Sequence, residues 1–583
     1  MASNRQSDQQ PSHTTAIQTL PTEVIHLMAA GEVIDSLAAV VRELAENALD
    51  AKATRIVVSV WLDQWRVRVV DNGVGIPLDD LHQAAVSHST SKIRSSQDLW
   101  HVHSLGFRGE ALHSLAQLAD LEICSRCIDA DGWHVKYSAE GEVEAIETVA
   151  IAPGTVVTVS DLFGHWTARR QTPPPTQQLR LIQSTIHHLA LCHPQVTWQV
   201  QQGDRNWFSI GSGTTAQQIL PQILRDVQPS DLQRVQVPLM QSSNSNAARA
   251  LDLLMGLPDR CHRHRLDWVK VAINGRMVKC PELEQCIVSA FRHTLPRDRY
   301  PLCFVHLQVP PSEIDWNRHP AKAEIYLRSM SDWQQAIVEA IDQALRLGSV
   351  TLPDSAYATR VGHLIETADR KVTEGAGQYR ASSSKPPKPD TDALSDSLAS
   401  SLPPASLKAV AQVHNMYILA EHPAGVWLVE QHIAHERVLY EQLCQRWELV
   451  ALDPPLILHQ LSAAQLEQLQ RLGISVEPFG EQLWAVRSAP EPLAPRSDCA
   501  DALLELSLGG NLDAALVATA CRTAIRNGTP LSLSDMQDLL DRWQQTRHPR
   551  TCPHGRPIYL PLAETSLSRF FRRHWVIGKS HGI

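Results

Sequence analysis

Arg42-Glu-Leu-Ala-Glu-Asn-Ala-Leu-Asp50 is the stretch on which the fold of this chain turns. It closes a helix-like run from Val33 to Leu49. On a helix, Glu43 and Asn47 stand four residues apart and share a face, so an acid and an amide oxygen project to one spot. The carboxylate suits the polarisation of a water, and the amide oxygen suits ligation of Mg²⁺. Alone, the same pattern describes a solvated polar stripe. The segments that follow it in the chain separate the two readings.

Working outward, Asp71-Asn-Gly-Val-Gly-Ile76 lies at the end of a strand-like run, Val67 to Val70. Its Asp71, followed by Gly73 and Gly75, is suited to accept a hydrogen bond from an exocyclic amine, while a D-N-G turn between strands is the plainer alternative. Ser89-Thr-Ser-Lys-Ile93 follows, with Thr90 as its second residue, and then Leu105-Gly-Phe-Arg-Gly-Glu-Ala-Leu112, a glycine-flanked loop opening a helix. Backbone N–H groups at such a helix start can hold phosphates. Gly154-Thr155 on a strand from Thr155 to Val159 completes the set. No G-x-x-x-x-G-K-[ST] occurs, so a Walker-type phosphate cradle is excluded.

The ordered series E-L-A-E-N, D-N-G-V-G-I, S-T-S-K-I, L-G-F-R-G-E-A-L and G-T resembles the GHKL ATPases, the group of DNA gyrase, Hsp90, histidine kinases and MutL. With Ala29-Ala-Gly-Glu-Val33 upstream, the long L-G-F-R-G-E-A-L form is similar to the MutL family of DNA mismatch repair proteins. The resemblance implies ATP with Mg²⁺ as cofactors and an α+β multidomain chain that opens with a GHKL (Bergerat) ATPase α/β sandwich. It implies that Glu43 is the general base, Asn47 the Mg²⁺ ligand, and Asp71 and Thr155 the readers of adenine. Gly73, Gly75 and Thr90 belong to the same nucleotide site, and Gly106, Phe107, Arg108 and Gly109 form a lid over the phosphates. Ile314-Asp-Trp-Asn-Arg-His-Pro-Ala-Lys-Ala-Glu324 is similar to the family's second-domain segment, which implies that Lys322 reaches the γ-phosphate. Val271-Ala-Ile-Asn-Gly-Arg276 matches a family strand and turn. A histidine kinase would need a phosphoacceptor helix before the site, and a topoisomerase a Tyr nucleophile with an acidic metal-binding domain; neither layout is recognisable. The chain departs from the family at Lys52, at Val156, and in the centre of Asp161-Leu-Phe-Gly-His-Trp-Thr-Ala-Arg-Arg170.

A second set of motifs lies near the C-terminus. Glu430-Gln-His-Ile-Ala-His-Glu-Arg-Val-Leu-Tyr-Glu441 follows a strand and should open a helix, on which His432 and Glu436 are an i, i+4 pair able to bind one metal. Thr551-Cys-Pro-His-Gly-Arg-Pro557 adds a thiolate and an imidazole from Cys552 and His554. A mixed S, N and O set suits Zn²⁺ or Mn²⁺ better than Ca²⁺. Surface His and Glu on an amphipathic helix, and a chance Cys-x-His, are the plainer alternatives. By resemblance to endonuclease-bearing MutL proteins, Glu430, His432, Glu436, Glu441, Cys521, Cys552 and His554 form a metal site, with Glu430 and Glu436 catalytic. Here Glu430 stands for the family's Asp and Ile433 for its Ala. Cys124-Ser-Arg-Cys127 reads as structural.

The chain has 583 residues, which at roughly 150 per domain predicts about four domains. It is 43% hydrophobic and 20% charged, and no run of about 18 apolar residues exists, which argues against a membrane protein. The polar Met1 to Ala16 and an odd 11 cysteines predict a disordered N-terminus and a reducing, cytoplasmic setting. A net charge of −9 means that DNA contact must come from local patches, of which there are three: Arg260 to Arg265, Arg292 to Arg299, and Arg569 to His574. No sequence-reading motif accompanies them, so non-specific contact is expected. Pro- and Ser-rich composition predicts a flexible linker, with a short helix near Val361 to Asp369.

The expected domains are a disordered N-terminus (1–16), an ATPase domain (17–225) and a ribosomal-protein-like α/β transducer (226–346). A linker (347–406) and an α+β dimerisation and endonuclease domain (407–583) follow. The implied function is a homodimeric mismatch repair mediator that couples a mismatch-recognition partner, MutS, to strand nicking. The alternative is an ATP-gated, non-catalytic matchmaker with a structural C-terminal metal. The replication sliding clamp has the least support as a partner, because Leu452-Asp-Pro-Pro-Leu-Ile457 lacks the expected glutamine.

Overall fold

The structure is a computed structural model that describes residues 22–93, 95, 104–106, 109–171, 173–239, 249–315, 326–347, 407–564 and 566–567. Expectations for Met1 to Ala16, for the linker and its short helix, and for Arg569 to His574 lie outside the described residues. Among the described residues, no helix is long and apolar enough to cross a membrane. They fall into two compact units, Met1–Ile223 with Ala272–Lys279 and Val309–Arg328, and Leu224–Val271 with Cys280–Gln308 and Ser329–Ile583.

The helix-like run from Val33 to Leu49 is the helix α2 (Leu37–Asp50), which begins four residues later than the periodicity suggests and is preceded by a separate helix, α1 (Thr22–Val33). The break comes at Ser36, whose extended backbone and side chain cap α2 by accepting from Ala39 N at 3.2 Å. Leu37, Val40, Val41, Leu44 and Ala48 form the buried stripe of α2. Beneath the helices lies an eight-stranded sheet in the order β5-β4-β3-β6-β2-β1-β7-β8. Its strands are β1 (Arg55–Trp61), β2 (Arg66–Asp71), β3 (Asp120–Arg126), β4 (Trp133–Tyr137), β5 (Val143–Thr148), β6 (Gly154–Ser160), β7 (Thr197–Gln202) and β8 (Arg205–Ile210). Most pairs are antiparallel, but β1 and β7 run parallel through the crossover that carries α5 (Pro175–Cys192). The short α3 (Leu78–Leu81) and α4 (Ala111–Leu118) fill the β2–β3 connection, and α6 (Ala216–Ile223) follows β8. The register of β2 on β6 sets Asp71 opposite Thr155.

Two motifs of the first unit meet physically. Arg169 donates to Gly31 O at 2.7 Å and Ile34 O at 3.3 Å while stacking on Trp166 at 4.0 Å. A Cβ on Gly31 would sit 2.8 Å from the guanidinium, which accounts for the glycine inside α1. The departure at Trp166 thus supplies the aromatic face under a retained arginine.

A five-stranded sheet, in the order β13-β12-β15-β10-β9, comprises β9 (Leu232–Leu239), β10 (Arg249–Gly256), β12 (Val269–Ile273), β13 (Arg276–Val278) and β15 (Cys303–Gln308). The two-residue strands β11 (His262–Arg263) and β14 (Tyr300–Pro301) pair, as do β16 (Ile314–Asp315) and β17 (Tyr326–Leu327). Helices α7 (Pro281–Ala290) and α8 (Met330–Leu345) complete this region.

The C-terminal body has two layers of its own. A four-stranded sheet runs β18-β19-β20-β24, from β18 (Lys408–Val413), β19 (Tyr417–His422), β20 (Gly425–Glu430) and β24 (Tyr559–Ala563). Strand β20 leads directly into α9 (Gln431–Gln445). A three-stranded sheet of β21 (Leu449–His459), β23 (Leu483–Pro490) and β22 (Val476–Gly480) packs with α10 (Ala463–Arg471) and α11 (Cys499–Ser507). Helices α12 (Leu512–Thr523) and α13 (Leu533–Gln544) close the body. Trp543 is fully buried, edge-on to Trp427 at 6.5 Å, with its indole N–H donated to Pro549 O at 2.9 Å. Trp543→Ala is expected to destabilise this body by about 3–5 kcal/mol. Denaturant unfolding followed by tryptophan fluorescence checks it, with nucleotide binding unchanged.

Candidate nucleotide and metal sites

Burial of the α2 stripe turns its polar residues toward protein. Glu43 is 7% exposed and receives Arg42 at 3.3 Å. Asn47 Oδ1 lies 3.4 Å from Lys92 Nζ, and that ammonium also pairs with Asp50. The Asp50 carboxylate accepts both Leu105 N at 2.9 Å and Gly106 N at 3.0 Å, which fastens the start of the glycine-flanked loop to the end of α2. A Cβ on Gly106 would stand 3.0 Å from Lys92 Nζ and 3.2 Å from Asn47 Oδ1, so the glycine keeps this corner open. Gly109, at φ +68°, passes 2.5 Å from Ser89 O by the same measure, while Thr90 Oγ1 accepts from Lys92 N at 3.2 Å.

Asp71 sits across from this corner. It accepts Gly73 N at 2.8 Å, and burial pushes its carboxyl above the ordinary value against hydrogen bonds from Gly73 and Thr155. Three glycines make the pocket wall possible. A Cβ would meet Ala51 O at 2.7 Å from Gly73, Arg126 O at 2.2 Å from Gly75, and Asp71 O at 2.1 Å from Gly154. Thr155 is buried, with its hydroxyl 3.0 Å from Ser125 Oγ, which also accepts Ile76 N at 2.8 Å. Ser125 carried no sequence signal; register across β3 and β6 brings it here. Phe107, Arg108 and Lys322 lie outside the described residues.

In the C-terminal body, Glu436, Cys552 and His554 bring one ligand atom each within 4.8 Å of one another. Glu436 is fully buried on α9. Cys552 and His554 lie on a tight loop closed by Gly555 N to Cys552 O at 2.8 Å and Cys552 N to Arg556 O at 2.9 Å. Arg437, also fully buried, ties α9 to that loop by donating to Thr551 O at 2.7 Å. The Glu436 Oε1 atom is 2.7 Å from His554 Nδ1, an ion pair at the centre of the cluster. A buried carboxylate beside a sulfur and an imidazole is a donor set that fits a divalent ion. Arg556 donates to Oε2 at 2.9 Å.

The other metal candidates are placed differently. Glu430 caps α9 by accepting Ile433 N, and Glu441 accepts Arg547 N at 2.7 Å and His548 N at 3.1 Å. His432 Nδ1 contacts Ile525 O at 2.9 Å, which orients the ring and leaves Nε2 available. Cys521 is half-buried and feels the charges of Glu436 and Cys552. His435 accepts Ile525 N at 3.0 Å, and burial pulls its pKa down to about 4, so this neighbour stays neutral.

Hydrogen bonding to Cys552, then to Glu436, pushes His554 up to about 9 from 6.5. Burial pushes the Cys552 thiol up, yet hydrogen bonds from His554 and Arg556 outweigh it and the net direction is down. Among the basic clusters, Arg260 pairs with Asp259 at 2.9 Å and Arg263 with Asp267 at 3.6 Å, so part of that charge is neutralised locally.

The chain carries an ATPase domain of the GHKL class and a dimerisation domain as well. Residues 32–160 match the family described as histidine kinase-, DNA gyrase B- and HSP90-like ATPase. Residues 231–346 match the DNA mismatch repair protein C-terminal domain, and 410–531 the MutL C-terminal dimerisation domain. The DNA mismatch repair protein MutL of Nostoc punctiforme is 60% identical, covering 97% of this chain and 99% of its own length. That of Microcystis aeruginosa is 55% identical over 98% of this chain and 100% of its own. The solved N-terminal domain of a DNA repair protein matches at 23% identity and a TM-score of 0.47, over 54% of this chain and 96% of that one. The Aquifex aeolicus MutL ATPase domain complexed with ADP matches at 21% identity and a TM-score of 0.36, over 48% and 94%. The chain belongs to the MutL family of DNA mismatch repair proteins.

The His554 shift has a measurable consequence. A raised folded pKa contributes stability that is fully present below about pH 6.5 and is lost as pH rises through about 9. For Cys552 the sign is opposite: its contribution is lost as pH falls through its lowered pKa. In chelator, the margin by which the parent's C-terminal transition exceeds that of His554→Gln should therefore be largest below about pH 6.5 and shrink as pH rises through about 9.

Proposed function

We propose that this protein is an ATP-gated mismatch repair mediator that nicks DNA with its own C-terminal metal site. The observation that carries the proposal is the Glu436, Cys552 and His554 cluster in a chain that also holds a GHKL nucleotide corner. The proposed domains are 17–225 for the ATPase, 226–346 for the transducer and 407–583 for dimerisation and cleavage, joined by a linker over 347–406.

In the ATPase, Glu43 orients and deprotonates the attacking water. Asn47 holds Mg²⁺, Asp71 and Thr155 receive adenine, and the Gly106 to Gly109 loop closes on the phosphates with Lys322 at the γ-phosphate. Hydrogen bonds donated by the Leu105 and Gly106 amides to Asp50 support the loop reading, because they fix where the loop begins. Glu43→Ala is expected to keep ATP binding and lower turnover by at least about 100-fold, measured by phosphate release beside equilibrium nucleotide binding.

At the C-terminal site, Zn²⁺ or Mn²⁺ would supply Lewis acidity toward a phosphodiester and a more acidic bound water. Glu436, Cys552 and His554 would hold it, with His432 aimed by Ile525 O and with Cys521 and Glu430 at the margin. The partners are a second copy through the dimerisation domain, DNA through non-specific basic patches, and a mismatch-recognition protein, MutS; the setting is cytoplasmic. The sliding clamp has no further support here. Incubation of the full chain with supercoiled plasmid and Mn²⁺ should give nicked circles, and Glu436→Lys should abolish them. No nicking by the parent, or nicking unchanged in Glu436→Lys, would sink the nuclease.

One observation favours a second reading. Glu430 is engaged as a helix cap and Arg556 already balances Glu436, an arrangement that also suits a non-catalytic matchmaker with a structural ion. That reading expects the metal to raise thermal stability and support no cleavage.

A further inference from the structure

The E-L-A-E-N segment contains a second acid, Glu46, to which the nucleotide site assigns no role. Its carboxylate is 2% exposed and pairs with Arg276 Nη2 at 2.6 Å. The same nitrogen donates to Leu105 O. Leu105 is therefore held through both of its backbone polar groups, its N–H by Asp50 and its carbonyl by Arg276. It is the residue immediately before the glycine-flanked loop.

Arg276 is delivered by a built turn. Asn274, at φ +48°, and Gly275, at φ +83°, form the tip of the β12–β13 hairpin. Asn274 is locked by a reciprocal pair with Val309, its amide donating to Val309 O at 2.8 Å and its oxygen accepting Val309 N at 2.9 Å. Gly275 O lies 2.9 Å from His193 Nε2. A Cβ on Gly275 would stand 2.9 Å from the His193 ring and 3.8 Å from Leu105, so only glycine lets the tip come this near. Arg276 itself is 7% exposed. A buried guanidinium shared between a carboxylate and one backbone carbonyl is a strong, directional restraint.

We propose that Arg276 is a positioning residue of the ATP site, holding the Leu105 carbonyl so that the phosphate loop starts from a fixed point. The inference rests on the ATPase reading above. It predicts a split in kinetics, because adenine is received at Asp71, on the other side of the site, while the phosphates depend on the loop.

The test uses the full chain with Arg276→Met, Arg276→Lys and Glu46→Gln, measuring kcat and KM for ATP and calorimetric binding of ADP. Arg276→Met should lower kcat by about tenfold or more with ADP affinity within about twofold of the parent. Arg276→Lys, which keeps the charge but not the fork, should recover part of kcat. If Arg276→Met does not fold, Glu46→Gln serves instead: it keeps an acceptor for Arg276, removes its counter-charge, and should show the same split. An unchanged kcat, or a kcat loss matched by an equal loss of ADP affinity, overturns the proposal. A parent that turns over no ATP, or a Glu43→Ala that turns over at the parent rate, overturns the ATPase reading and with it this one, and is distinct from a failure confined to Arg276.

Discussion

The rest of the structure depends on how α2 is seated. Leu37, Val40, Val41 and Leu44 bury one side of the helix, and this commits Glu43, Glu46, Asn47 and Asp50 to a surface lined by protein. Carboxylates in such a place must find donors, since an unpaired buried charge costs several kcal/mol. Asp50 takes two backbone amides and the Lys92 ammonium; Glu46 takes Arg276. Each compensation recruits a different part of the chain, so the helix acts as the organiser on which loop and hairpin converge.

The C-terminal cluster solves a related problem with different chemistry. Glu436 is as deeply buried as any residue of α9, and its partners are an imidazole and a guanidinium whose pKa values rise beside it. Burial alone would raise the Glu436 carboxyl; His554 and Arg556 outweigh it, and the acid stays ionised. The loop can make this fit because Gly555 adopts φ +78° and Arg437 pins the loop to α9 from behind. A site with its charge already balanced is stable without an ion and still offers an oxygen, a sulfur and a nitrogen to one.

Much of this was legible in the primary structure, and the reasons are local. Glu43 and Asn47 share a face by helical spacing alone, the glycines of D-N-G-V-G announce a close backbone approach, and His432 and Glu436 are one helical turn apart. What was not legible involves partners distant in the chain. Arg169 meeting Gly31, Ser125 supporting Thr155, Arg437 holding Thr551 and Arg276 reaching Glu46 each join segments whose separation carries no periodic signal. The start of α2 differs for another reason: apolar periodicity reaches back to Val33, and only the capping geometry at Ser36 marks where the helix begins. Glu430 belongs to the metal motif, and its position at the end of β20 also makes it the cap of the next helix, a role the motif does not announce.

By itself, then, the sequence determined the residue types and their local spacing: an acid and an amide on one helix face, glycines where the backbone must pass closely, and an acid, thiol and imidazole in two short motifs. Those follow from helix geometry and from the absence of a Cβ, which act over a few residues. Only the tertiary structure decided which charges are buried, which cation answers each, and which of seven candidate ligands converge within bonding reach of one ion. Burial and ion pairing are properties of the packed surface, and packing brings together residues that the chain keeps far apart.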